Sequence, residues 1–266
     1  MNRYLGPDPN ALIQQVRARD PAWFAHAETV AICAGDMIQR LHVHRGNVQE
    51  LLGALLYRRV ASGFEAVLAL AERGMHTEGL AQRRSMLEAL FVLGAIWKQP
   101  DLAAKYLLDD EHRHLKIFKN IKRLPLAIQQ SLAPELSIES IDEKIAALKK
   151  ATVGSTPTTI ADYAKAAALF GYYLTDYSFA SEAAHHVAKD LERQIVLDRE
   201  GDVDAFYWGP EVEVPSKLLS NAVEFMLMAV AATADLFGVT APQELETLRK
   251  KTDEMLELRA SAANAG

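Results

Sequence analysis

Cysteine is all but missing. Cys33 is the sole thiol in 266 residues, which excludes an intramolecular disulfide and a cysteine-based metal cluster. Its setting, TVAICAGDMI, reads as that of a small buried hydrophobe rather than a nucleophile. A Gly-rich phosphate loop, a nucleophile elbow and a dinucleotide fingerprint are also absent, so no cofactor is expected. Basic charge is not in excess: 35 Asp/Glu stand against 29 Lys/Arg, a net charge of -6. No overall field therefore draws the chain to nucleic acid or to an anionic membrane, although local basic patches stay open. The start, MNRYLGPDPNALIQQ, lacks the basic-then-apolar pattern of a secretory leader, and with the lone cysteine this gives an expectation of a cytoplasmic, reducing compartment. One apolar run at 218–239, LLSNAVEFMLMAVAATADLFGV, has membrane-spanning length. Asn221, Glu224 and Asp235 within it favour a buried core helix, and no membrane partner is expected.

What is present is helical periodicity, in a chain that is 50% hydrophobic. The predicted class is mainly α, a multi-helix bundle with one β-hairpin near residues 194–208. Proline, glycine and asparagine punctuate helices over 9–18, 21–43, 47–72, 76–98 and 100–122, with Asn47 as an N-cap, Gly74 as a stop and Pro100 as a break. The pattern weakens over 123–158, read as a lobe boundary or lid. Helices resume over 159–169 and 171–190, strands flank the turn DREGD at 194–198 and 203–208, and helices over 214–238 and 241–259 finish the fold. Residues 1–46 read as N-terminal helices, 47–260 as the main helical domain, and 261–266 as a disordered tail. The all-round apolarity of EFMLMAVAATADLF exceeds what one neighbouring helix would bury, so a homo-oligomer is expected.

Two polar sets interrupt the apolar stripes. Tyr177, Ser181 and His185 follow one another at four-residue steps, which confines them to an arc of about 80° on one helix. Arg84 and Glu88 lie four apart on the stripe of Leu80, Leu87 and Phe91, so both charges point toward packing and call for partners. A phenol, a hydroxyl and an imidazole supply what a guanidinium and a carboxylate require, and the two helices are predicted to meet there.

These residues also carry a resemblance. RRSMLEALF, KQPDLAAKYLLDD and the Tyr177-x3-Ser181-x3-His185 row resemble a widespread bacterial all-helical family of unknown function, with an Arg-Ser-x-x-Glu helix and a Tyr-x3-Ser-x3-His helix. The similarity covers roughly 47–235. It implies a helical bundle with Arg84, Ser85, Glu88, Tyr177, Ser181 and His185 as its polar set, and no established activity. That family is loosely similar to the HEPN superfamily of helical ribonucleases and defence or toxin proteins. There an Arg and a His on one helix cleave phosphodiesters without metal, His moving a proton and Arg stabilising phosphoryl charge. This chain departs from the pattern: Ser178, Phe179, Ala180 and Ser181 precede His185, so the arginine would have to be Arg84 on another helix.

On that reading His185, Arg84 and Glu88 are catalytic, Tyr177, Ser181 and Ser85 bind substrate, and the partner is an anionic small molecule or RNA. The alternative is a non-catalytic helical interaction module whose polar network is structural. A second alternative is a di-metal carboxylate bundle built on Glu111-x-x-His114 and Glu182-x-x-His185 with Glu88; a further lone Glu is wanting among the predicted helices. KIFKNIKR, at 116–123, reads as a solvated amphipathic face, with phosphate contact as the competing reading.

Overall fold

The computed structural model describes residues 8–132, 138–184, 195–207, 209–212 and 215–264. The chain is mainly α-helical, with one two-stranded antiparallel sheet among the described residues. Local chemistry sets the helix ends. α1 (Pro9–Arg19) starts at the Asp8 carboxylate, which accepts from the Ala11 amide at 3.0 Å. α2 (Pro21–Gln39) begins on a proline, in the turn where no amide donor is needed. α3 (Val48–Ala71) is capped by the Asn47 side chain, which accepts from the Glu50 amide at 3.1 Å. Past its end Gly74 turns left-handed at φ +66°, and the amides of Gly74 and Met75 return to the carbonyls of Ala71 and Leu70. A Cβ there would lie 2.8 Å from the Pro210 side chain, so the close approach of the 210–211 segment also requires glycine.

α4 (His76–Lys98) stops ahead of Pro100 and α5 (Asp101–Lys122) follows. α4 is the centre of the molecule: it packs against α3 and α5, against α8 (Ile160–Ala166), α10 (Ser178–Ala184) and α11 (Pro215–Phe237). This explains why its second half, LFVLGAI, is apolar on every side, with Leu90, Phe91, Leu93 and Ile96 fully buried. α11 has the length and apolarity to cross a membrane, yet 72% of its apolar window is buried inside the chain. It packs against α2, α3, α4 and α12 (Leu245–Asn264). α12 runs past the expected end at 259 through Asn264, because the Ala-rich stretch read as a disordered tail is a good helix former.

The stretch over 123–158 holds α6 (Leu126–Leu132) and α7 (Ile138–Ala151). α7 runs antiparallel along the outer half of α5: Lys122 meets Asp142 at one end, and His112 Nε2 lies 2.8 Å from Ser155 Oγ at the other. Leu115, Ile141 and Ile145 form a small core there, separate from the main one. At the root of this arm the buried Asp109 carboxylate accepts from Lys105 Nζ at 2.7 Å, Tyr163 OH at 2.7 Å and the Thr158 amide at 3.0 Å. These donors outweigh burial and hold Asp109 below the usual carboxylate range.

The helix expected over 171–190 is not uniform. α9 (Phe170–Tyr172) passes into a π-helical turn, Tyr173–Tyr177, before α10. β1 (Ile195–Leu197) and β2 (Val203–Phe206) pair Ile195 with Phe206, Val196 with Ala205 and Leu197 with Val203 across an irregularity after Val196. Cys33, on α2, is 3% exposed, and burial pushes its thiol up.

Candidate functional site

α4 and the π turn bring Arg84, Glu88 and Tyr177 together as their spacing predicts. Tyr177 OH accepts from Arg84 Nη2 at 3.0 Å and donates to Glu88 Oε1 at 2.8 Å, while Arg84 and Glu88 pair directly at 3.0 Å. The Arg84 guanidinium also lies 5.1 Å from the centre of the Tyr177 ring. Burial and the bond to Glu88 push the Tyr177 hydroxyl up, so it stays protonated and donating. The ring itself is held by stacking on Tyr173 at 5.1 Å, which stacks in turn on Phe170 at 5.5 Å. The corner lies at the surface, because the Arg84 and Glu88 side chains are 28% and 34% exposed.

The π turn places Tyr177. A π segment carries one more residue than the α-helix it replaces and turns the residues after it relative to those before. Hydroxyls bond back along the whole segment: Thr175 to the Gly171 carbonyl at 3.0 Å, Ser178 to Tyr173 at 3.0 Å and Ser181 to Tyr177 at 2.7 Å. Ser181 therefore fastens its own helix and does not reach Arg84. Ser85 is likewise apart from the corner, accepting from Arg59 Nη2 at 3.1 Å. His185 lies outside the described residues.

A second network, next door, escaped the sequence reading. Arg83, only 4% exposed, points inward to Asp176 at 3.6 Å and donates to the Lys217 carbonyl at 3.4 Å. Asp176 accepts from Asn221 Nδ2, Ser220 donates to Asn221 Oδ1 at 3.2 Å, and Arg259 Nη1 donates to Ser220 Oγ at 3.1 Å. Tyr172 donates to Glu224, whose carboxyl is pushed up by burial and by the charges of Asp176 and Asp253. Burial draws the Arg83 guanidinium down, and Asp176 opposes it. The signal was available: Asn221 and Glu224, the polar breaks in an apolar run, require polar partners once that run is buried. Adjacent arginines thus serve opposite sides of the seam, Arg83 the interior and Arg84 the surface.

The metal pattern does not assemble from the described residues. His114 is exposed and lies 3.6 Å from Asp110, Glu182 is exposed, and no group of three His, Cys, Asp or Glu ligands is close enough to hold an ion among the described residues.

The model of the family of unknown function DUF5677 matches residues 50–203, more than half of the chain, and the chain belongs to that family. The matched stretch runs from α3 into β2 and contains both halves of the Arg84 corner. No protein of curated function and no solved structure matches the chain.

Proposed function

We propose that the Arg84–Glu88–Tyr177 corner is the anion-holding half of a metal-independent phosphodiesterase site of ribonuclease type. The observation that carries this reading is the pose of Arg84: a guanidinium fixed by a phenol, a carboxylate and a ring, yet 28% exposed to solvent. A cation oriented in advance stabilises phosphoryl charge without reorganising as the charge develops. Arg84 holds the anion, Glu88 and Tyr177 orient Arg84, and His185, the next step of the row beyond Ser181, transfers the proton. Ser181 and Ser85, bonded elsewhere, position the helices rather than the substrate.

One observation favours a different reading, a non-catalytic interaction module. Arg84 Nη2, the Tyr177 hydroxyl and the Glu88 carboxylate bond one another as in a structural network, while Arg84 Nε is buried without a partner among the described residues. The discriminating measurement is cleavage of a labelled RNA together with urea unfolding, for the native chain, His185→Ala and Arg84→Lys. The site reading expects cleavage lost in both variants, with the stability of Arg84→Lys within about 1 kcal/mol, because that change, at a part-exposed residue, empties no core. No cleavage by the native chain, with stability lost in the variants, establishes the module.

A further inference from the structure

The arm formed by α5 and α7 has a charge opposite to that of the molecule that carries it. Its outer part, residues 112–152, holds eight Lys/Arg against four Asp/Glu, within a chain of net -6; Asp109, Asp110 and Glu111 at its root bring the balance over 109–152 to +1. Three of these cations are engaged: Arg113 with Asp110 at 3.0 Å, Lys122 with Asp142, and Lys144 above the Phe118 ring at 5.4 Å. The other five, Lys116, Lys119, Arg123, Lys149 and Lys150, are exposed, and none meets a carboxylate within ion-pair reach among the described residues.

Their placement follows from helix geometry. At about 100° per residue, Lys116, Lys119 and Arg123 share an arc of about 60°, a stripe roughly 10 Å long on α5. The antiparallel register, fixed by Lys122 against Asp142 and His112 against Ser155, sets Lys149 level with Lys116 on α7, whereas Lys150 lies about 140° or more around α7 from Ile141 and Ile145 and faces away from α5. The small core of Leu115, Ile141 and Ile145 holds the two helices side by side, so Lys116, Lys119, Arg123 and Lys149 form one array on a preformed support.

We infer that the α5–α7 arm is a docking surface for the phosphate backbone of a nucleic-acid strand, bound without regard to sequence. Charge complementarity selects the partner, since unpaired exposed cations gain most by releasing the counterions of a polyphosphate. An anionic membrane fits less well. Such a surface needs apolar side chains along the cationic stripe, whereas Ile117, the exposed large hydrophobe within the Lys116–Lys122 stretch of α5, falls about 100° or more around the helix from each of Lys116, Lys119 and Arg123, and the exposed Leu124 and Val153 lie past the ends of α5 and α7. The inference goes beyond the Arg84 corner and does not depend on it, because a strand can be held on the arm whether or not that corner cuts.

The test is fluorescence anisotropy of a labelled 20-nucleotide single-stranded RNA, and of DNA of the same length, with the full chain at 50 and 200 mM salt. With three or four phosphates neutralised, affinity is expected to fall roughly 20- to 50-fold between the two salts. Replacing Lys116, Lys119 and Arg123 together by Gln is expected to weaken binding at least tenfold at 50 mM and to flatten the logarithmic salt slope by about 2. Circular dichroism should stay native, because the three side chains are exposed and unpaired. Arg19→Glu, which changes an exposed cation on α1, serves as the control and should bind normally. DNA should bind about as well as RNA.

Undiminished binding by the triple Gln variant overturns the inference. So does absence of binding at 50 mM salt, a tenfold preference for RNA over DNA, or capture by phosphatidylserine vesicles in place of either strand. His185→Ala separates the two proposals, since it should leave this anisotropy unchanged whatever it does to cleavage.

Discussion

His26, on α2, has no solvent exposure, and its Nε2 lies 2.8 Å from Thr252 Oγ1. The Thr252 hydroxyl already donates to the Leu248 carbonyl at 2.8 Å, so it can only accept from the ring. The proton therefore sits on Nε2, and Nδ1 is buried with no partner among the described residues. Protonating Nδ1 would place an unpaired charge in the core, and burial, helped by Lys251, lowers the His26 pKa to about 4. The unfolded chain then binds more protons than the folded one between roughly pH 6.5 and pH 4, so stability must fall as pH drops through that window, by up to roughly 3 kcal/mol. Urea unfolding at pH 7 and pH 4.5 is expected to show a larger loss for the native chain than for His26→Leu. Equal losses in the two proteins would acquit His26. Arg83 teaches a related lesson: its neighbour Arg84 lies on the apolar stripe and was legible, whereas Arg83 became significant only once burial of α11 gave Asn221 a partner in Asp176.

At the scale of elements, most helix ends were legible because they rest on local chemistry: the Asn47 side chain at the head of α3, Gly74 past its end, and Pro100 after α4. The hairpin was legible for the same reason, since DREGD supplies its turn. The π turn was not, because it is settled by tertiary demands on both sides. Across it Tyr172 faces Glu224, Asp176 faces Arg83 and Tyr177 faces Glu88, partners that lie on other helices and that no local signal names. Leu174, the second residue of the turn, is 59% exposed. Leu174→Ala is therefore expected to change stability by less than about 0.5 kcal/mol. Deleting Leu174 restores α-helical spacing, swings one set of partners by about 100° and breaks the buried Arg83 pair, at a loss of about 3 kcal/mol or more. Thermal unfolding compares the two, and a deletion as stable as the alanine variant would show that the extra residue sets nothing.

At the scale of the molecule, the described residues form two apolar cores of unequal size, one drawing on α2, α3, α4 and α11 and one confined to the arm. The division was only partly visible in the sequence: periodicity weakens over 123–158, but nothing local says that α7 folds back on α5. The smaller core buries less and is expected to open at lower free energy than the larger. The lone cysteine turns that inequality into a clock. Cys33 stands in the larger core at 3% exposure with its thiol pushed up, so a maleimide can reach it only when the body itself opens. Its labelling rate in water should thus trail amide exchange in α5 and α7, and should climb with urea in step with global unfolding. Prompt labelling of the native chain would mean that the body breathes around α2. Because no other thiol competes, the chemistry needs no mutation, and one reagent dates each opening of the main core.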